Sequence, residues 1–171
     1  MNKKFESENI IYINITEDLV DEYLPMVNDK EIQKMISKVE RTYTKEEEID
    51  WIKETLESGD YQFSMLEKDS NKFIGNVSLM DVENNSAEVG ICITRSMQDK
   101  HYGTEALNRI IEYGFNDLNL ENLTAGVFSI NPRSMHLVEK VGFKKVSVEE
   151  NYKISDGVGV SLINFILERS V

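Results

Sequence analysis

Apolar positions recur along this chain in two periods, and the change from one to the other divides it. Ile10 to Ile15 reads as a strand, after which Thr16 offers an N-cap oxygen to a helix carrying Leu19, Val20, Tyr23, Leu24 and Val27. A shorter helical patch follows around Ile32 to Ile36. Thr44 and Glu47 have the spacing of a capping box, in which each side chain satisfies the other's exposed N–H; the helix they open carries Ile49, Trp51, Ile52 and Leu56 and stops at Gly59. Beyond Gly59 the period shortens to two. Tyr61 to Leu66, Phe73 to Met80 and Ala87 to Thr94 alternate as strands, and the turns between them, Asp69-Ser70-Asn71 and Asn84-Asn85-Ser86, are short enough for an antiparallel meander.

The remainder predicts a helix from Thr104 to about Asn116, a strand from Leu123 to Ile130 and a helix begun by Asn131 and Pro132. That pair sets a capping side chain before a proline whose missing N–H costs nothing at the first helical position, and Gly142 ends the helix. Lys144 to Lys153 and Val160 to Leu167 flank Asp156-Gly157 as a hairpin. No repeat, low-complexity stretch or linker interrupts the pattern. The expectation is one mixed α/β domain over residues 1–171, with helices early and crossovers late.

Composition narrows the class. A chain of 171 residues with 40% hydrophobic and 29% charged residues is an ordinary globular sequence, long enough to bury a core without disulfide or metal. Its single cysteine excludes an internal disulfide and any zinc site built on several thiolates. No apolar run approaches the ~18 residues that would span a bilayer, and Met1 to Tyr12 contains no apolar signal region, so the expected compartment is the cytoplasm. With 19 basic and 31 acidic residues the net charge is −12, which argues against nucleic acid as the main partner. Residues 1–90 hold 10 basic against 21 acidic side chains, whereas residues 91–171 hold 9 against 10. An anionic ligand therefore belongs with the second half and a cationic one with the first, unless the acidic face serves solubility alone.

The chemistry that residues alone suggest lies at Glu88 to Thr104, where a strand, a loop and a helix start follow one another. Such a junction turns unpaired N–H groups and the positive end of a helix dipole toward an anion. The loop Gln98-Asp99-Lys100-His101-Tyr102-Gly103 has neither the Walker spacing nor a dinucleotide fingerprint. An ordinary turn remains the alternative.

These residues resemble those of the GNAT superfamily of acyl-CoA-dependent N-acyltransferases, and within it the branch similar to ribosomal-protein N-terminal acetyltransferases (RimJ/RimL-like). The family's loop pattern [Q/R]-x-x-G-x-[G/A] corresponds to Gln98-Asp99-Lys100-His101-Tyr102-Gly103, which keeps its first and last positions, followed by Thr104-Glu105-Ala106-Leu107. Its second signature, N-x-x-[S/A]-x-x-L-x-E-K-x-G-F, is met at Asn131, Ser134, Leu137, Glu139, Lys140, Gly142 and Phe143. Phe73-Ile74-Gly75 and Ala87-Glu88-Val89-Gly90 match two meander strands of the branch, and the element order agrees over roughly residues 10–168. The fold implied is a mixed, mostly antiparallel central sheet flanked by helices, with a CoA-binding core at about 87–143 and acceptor-side helices at about 16–58.

The resemblance implies an acetyl-CoA co-substrate, no metal, and an amine acceptor such as a peptide N-terminus, a polyamine or another small amine. It implies that Glu88 is the general base through water, with Glu150 as a weaker alternative, and that Ser134 steers or protonates the leaving sulfur. Glu88 as a plain strand-edge carboxylate and Ser134 as an idle helix-surface hydroxyl are the competing readings. Ile91 and Ile93 would offer backbone groups to the pantetheine arm, and Asn131 would bond to that arm or simply cap its helix. The pyrophosphate would lie on the backbone of Gln98, Asp99, Lys100, His101, Tyr102, Gly103 and Thr104, with Lys100 and Arg133 near phosphates. Trp51 and Tyr43 could line the acceptor cleft.

Two positions depart from the pattern. His101 stands where the loop's central glycine belongs, restricting φ or adding a donor. Val138 stands where many relatives have a tyrosine to protonate the thiolate. They make a second reading tenable, a non-catalytic CoA-binding regulatory module, and a third is an interaction domain using the acidic face. Cys92 is expected to face the core, and His136 the helix surface. Partners expected are an amine acceptor and at most a second copy of the chain, with neither nucleic acid nor membrane.

Overall fold

A computed structural model describes residues 2–170. Within them, eight strands join in one sheet: β1 (Lys3–Glu6), β2 (Ile10–Asn14), β3 (Tyr61–Glu67), β4 (Phe73–Glu83), β5 (Ser86–Ile93), β6 (Asn122–Phe128), β7 (Lys144–Ser155) and β8 (Val158–Glu168), in the order β1-β2-β3-β4-β5-β6-β8-β7. Every neighbouring pair is antiparallel except β5 and β6. Five helices flank the sheet: α1 (Val20–Val27), α2 (Lys30–Ile36), α3 (Lys45–Ser58), α4 (Tyr102–Glu112) and α5 (Pro132–Lys140). The expected single-domain α/β architecture with a mostly antiparallel sheet is thus present. No helix of the described residues is long and apolar enough to cross a membrane.

Alternation along the strands sends side chains to two cores. Tyr12, Met65, Leu79, Ala87 and Val89 pack with Ala106, Leu107 and Ile110 of α4 and Val138 of α5. On the other face Ile13, Ile15, Leu66 and Phe73 meet Val20, Tyr23, Met26, Ile32 and Ile52 from α1 to α3. Cys92 packs against this second cluster.

Local signals account for most element ends. Thr44 accepts from the Glu47 N–H while the Glu47 carboxylate accepts from the Thr44 N–H, closing the predicted capping box, and Gly59 ends α3 in the left-handed region at φ +87°. The Asn131 side chain accepts from the Ser134 N–H and opens α5 with Pro132 in the first turn. Gly75 lies against the neighbouring strand so closely that a Cβ there would meet the Cys92 carbonyl oxygen at 2.0 Å.

Three features differ from expectation. The strand β1 escapes a hydrophobic pattern because Phe5 is its one apolar residue; charged side chains suit an edge strand, which they shield from further pairing. Thr16 caps a short 3-10 turn at Glu17–Leu19 before α1 proper begins. Helix α4 starts at Tyr102 rather than Thr104, because His101 takes a left-handed φ of +66° and hands over to the helix without a side-chain cap.

Candidate functional site

Strands β5 and β6 pair over only Ser86↔Asn122, Ala87↔Leu123 and Glu88↔Thr124. Both then run on, so beyond Glu88 they part and leave a gap in the sheet. The Thr94 N–H bonds to the Ile74 carbonyl on β4, and strand alternation therefore turns the main-chain groups of Cys92 and Gly90 toward β4 and those of Ile93, Ile91 and Val89 toward the gap. The Gln98 side-chain amide takes up one of these groups, donating to the Ile93 carbonyl at 3.0 Å.

Two adjoining cavities fill the gap. An inner one of about 410 Å³ is lined by Glu88, Gly90 and Asn76 on the sheet, Trp51 on α3 and Phe128 on β6. An outer groove of about 610 Å³ runs past Ile93, Gln98, Asp99, His101, Gly103 and Thr104. Ile91, Cys92, Asn131 and Ser134 border both, so the two spaces are continuous.

Glu88 holds the apex of the gap. Its carboxylate reaches across to β6, where a Cβ on Gly126 would lie 3.8 Å from Oε1. Burial raises its carboxyl above the usual range, and the negative charge of Asp81 adds to the rise. A carboxylate so poised is a better proton acceptor than an exposed one. Glu150, the other candidate base, is exposed on β7 and lines neither cavity.

The outer groove has the features of an anion site. The first helical hydrogen bond of α4 is made by Glu105 N–H to the His101 carbonyl at 3.4 Å, which leaves the N–H groups of Tyr102, Gly103 and Thr104 ahead of it. Asp99 and His101 both have positive φ, at +59° and +66°, so the loop coils tightly below the helix. Arg133 braces it from α5, donating to Gln98 Oε1 at 3.0 Å and pairing with Asp99 at 2.8 Å. Gly103 lets α4 approach α5, since a Cβ there would meet Leu137 Cδ2 at 3.0 Å. Unpaired N–H groups, a helix dipole and the cations Arg95, Arg133 and Lys140 along one groove fit a phosphate-bearing ligand such as CoA.

Not every expected residue converges here by its side chain. Lys100 turns back to the Met97 sulfur at 3.7 Å, and the Tyr102 hydroxyl donates to Glu67 on β3; neither lines a cavity. Both can serve the groove through their backbone only. Tyr43 lies under Arg41, 4.1 Å from its guanidinium, and outside the inner cavity, whereas Trp51 lines it. Burial, with Asp29 adding, pushes the Cys92 thiol up to about 12, so this cysteine is not a ready nucleophile. His136 borders the outer groove. Val138 is 4% exposed and closes the inner cavity where a tyrosine was expected in relatives.

The sequence reading missed Asn76, Arg95 and Lys140, which line the cavities. The signal for Asn76 was a polar residue inside an otherwise apolar strand, repeated at Ser64 and Ser78.

A family model for the acetyltransferase (GNAT) domain matches residues 9–144. The uncharacterized N-acetyltransferase p20 of Bacillus licheniformis is 30% identical over 115 residues, covering 66% of this chain and 65% of that protein. The spermidine N(1)-acetyltransferase of Vibrio cholerae is 32% identical over 94 residues, covering 54% of this chain and 52% of that protein. Matched segments thus span about half to two thirds of these relatives. Among solved structures, the spermidine N-acetyltransferase of Vibrio cholerae in complex with CoA and spermine superposes with a TM-score of 0.87 at 20% identity, covering 94% of this chain and 95% of that one. A putative ribosomal-protein-serine acetyltransferase from Vibrio cholerae does so with a TM-score of 0.78 at 21% identity, covering 99% and 100%. At such identities these are likenesses of fold.

Proposed function

The chain belongs to the GNAT acetyltransferase family, whose members use acetyl-CoA, and from that premise we propose that it transfers the acetyl group to a primary amine by direct attack. The observation that carries the proposal is the meeting of three things at one opening in the sheet: a buried carboxylate at the apex, an edge of free main-chain groups, and the N-terminus of α4.

Acetyl-CoA, when bound, supplies an activated thioester. Glu88 draws the proton from the incoming ammonium through water, for which its raised carboxyl is suited. The main-chain groups of Ile91 and Ile93 hold the pantetheine arm along the gap, with the Asn131 side chain opposite. N–H groups of the loop from Gln98 through Asp99, Lys100 and His101 to Tyr102, Gly103 and Thr104 bind the pyrophosphate. The Ser134 hydroxyl protonates the leaving sulfur, a task Val138 cannot perform.

The same reading assigns the CoA-binding core to residues 87–143 and the acceptor side to residues 16–58. It assigns the chain to the RimJ/RimL-like branch on the strength of Phe73-Ile74-Gly75 and Ala87-Glu88-Val89-Gly90, and to the cytoplasm as monomer or homodimer, with neither nucleic acid nor membrane as partner. The acceptor is a peptide N-terminus, a polyamine or another small amine. Thiol release from acetyl-CoA across an amine panel, with mass analysis of the amine, tests the proposal. Amine-dependent release with an acetylated product is expected. Binding of CoA without release for any amine would favour a non-catalytic CoA-binding module, the alternative that His101 and Val138 keep in view.

A further inference from the structure

The walls of the inner cavity are chemically uneven. Met26, Met35, Trp51, Met80, Phe128 and Leu162 make most of it apolar, and Glu88 is the one carboxylate among the described residues that line it. Lys38 is the one cation there, its ammonium 4.2 Å from the Tyr152 ring centroid. The acidic run of α3 contributes nothing directly. Glu47 pairs with Arg41 at 2.8 Å, Glu48 is buried, Glu46 and Asp50 are exposed, and none of the four lines the cavity. A second ammonium taken into this space would lose its water against methionine and tryptophan and face Lys38 with no carboxylate to meet it.

The sheet side of the cavity offers something else. The Thr16 N–H donates to the Tyr23 hydroxyl at 3.1 Å, Tyr23 and Ser64 share a hydrogen bond of 2.5 Å, and the Ser64 hydroxyl donates to Asn76 Oδ1 at 2.9 Å. A backbone N–H can only donate, so the polarity of this chain is set from its Thr16 end. Turning the Asn76 amide over would make Ser64 donate to Tyr23, whose oxygen would then accept twice while its own hydrogen lay unpaired on a side chain 0% exposed. In the observed direction every hydroxyl hydrogen has an acceptor. The Asn76 oxygen is therefore engaged, and its two N–H donors are left for the cavity it lines.

Glu88 and Asn76 share this face of the sheet. Asn76 pairs across from Cys92, four residues along β5 from Glu88, a separation of about 13 Å at the rise of a strand. A water beside Glu88 and a hydrogen bond at Asn76 take up roughly half of that span, which leaves about four to five bonds between the two ends of an acceptor.

We infer that the acceptor is an amine with one positive charge, an apolar body and an uncharged hydrogen-bond-accepting oxygen several bonds from its nitrogen, and that Asn76 selects it over a polyamine by donating to that oxygen. This rests on the acetyl-transfer reading. The ammonium gives one proton by way of water to Glu88, its nitrogen forms the amide bond as the carbon–sulfur bond breaks, and a second nitrogen proton is relayed through the Ser134 hydroxyl to the sulfur, which leaves as the thiol.

Three amines of one chain length separate the possibilities: butylamine, 4-aminobutanamide and 1,4-diaminobutane, each with acetyl-CoA and the full chain. The expected order of kcat/KM puts the amide about tenfold above butylamine and the diamine below both. Asn76→Asp keeps the oxygen that Ser64 needs and replaces the donor with a carboxylate, so it should reverse the order of amide and diamine at unchanged affinity for CoA. Ser64→Ala frees the amide to turn and should shrink the tenfold advantage without favouring the diamine. A wild-type preference for the diamine, or equal values for amide and butylamine, overturns the inference and leaves acetyl transfer standing. Release of thiol with none of a broad amine panel overturns both.

Discussion

Lys153 and Ser37, 116 residues apart in the chain, are joined by a hydrogen bond of 2.8 Å from the lysine ammonium to the serine carbonyl oxygen. The same ammonium donates to the Lys34 carbonyl at 2.6 Å and lies 4.2 Å from the Phe128 ring centroid. Lys34 in turn pairs with Asp156 at 2.5 Å, so the β7–β8 hairpin clasps the C-terminal end of α2. At its other end α2 is capped by Asp29, which pairs with Arg95 beyond β5 at 3.4 Å. The helix is therefore moored to both arms of the parted sheet, and its Met35 and Ile36 border both cavities.

Lys153→Met keeps the apolar stem and removes the donors, leaving the Lys34 carbonyl of α2 and the carbonyl of its C-cap Ser37 without this partner. The loss should be about 1–3 kcal/mol in thermal or denaturant unfolding. A slackened α2 should raise KM for the amine several-fold while the Kd for CoA, read by calorimetry, stays within twofold. A rise in both constants would mean that α2 supports the outer groove as well.

At His101 the question is whether the imidazole or the backbone matters. Its φ of +66° strains any side chain but suits glycine. His101→Gly should be more stable than His101→Ala by about 1 kcal/mol, some 2–4 °C in Tm for a chain of this size. If the ring donates to a phosphate, both variants weaken CoA binding equally. Tighter binding by both variants would instead mean that the ring obstructs the loop, and tighter binding by Gly alone that the left-handed backbone does.

How legible this protein was depends on the range of each interaction. The capping box at Thr44 and Glu47, the stop at Gly59 and the Asn131-Pro132 start are written in neighbouring residues, and the structure has all three. The parting of β5 from β6 is not local. Nothing in Glu88 to Ile93 announces that the partner strand leaves after Thr124; the motifs merely agree with such a gap. The expectation of a Lys100 side chain near phosphates rests on its place in a loop, and the contact with Met97 turns that side chain elsewhere. The acidic run on α3 counted as charge near an acceptor, while helix periodicity sends Trp51 into the cavity and its acidic neighbours away from it.

Glu48 is 4% exposed, and burial raises its carboxyl above the usual value. A carboxyl whose folded pKa is raised binds protons more readily in the folded state, so folding is favoured at low pH and loses stability as pH climbs from the unfolded value through the folded one. Glu48→Gln removes that cost. Its Tm should exceed that of the wild type at pH 8, and the gain should disappear below about pH 4, where both states carry the proton. A gain that persists in acid would trace to packing rather than charge.

Glu88 is raised by burial and by Asp81, and as a base it works only when ionised. Activity should therefore fall as pH drops through a limb lying above the ordinary carboxylate range, in addition to the limb set by the amine itself. Glu88→Gln keeps the shape and removes the base; kcat should drop by ~10²-fold with little change in CoA affinity, and the lower limb should vanish while the amine limb remains. Ser134→Ala should cost less, because water can supply a proton to sulfur where a hydroxyl is missing, and it should leave the lower limb in place. The two variants thus differ in the shape of the pH profile as well as in rate. If the lower limb survives Glu88→Gln, a group other than Glu88 titrates there, and Glu88 is left as a wall of the acceptor site.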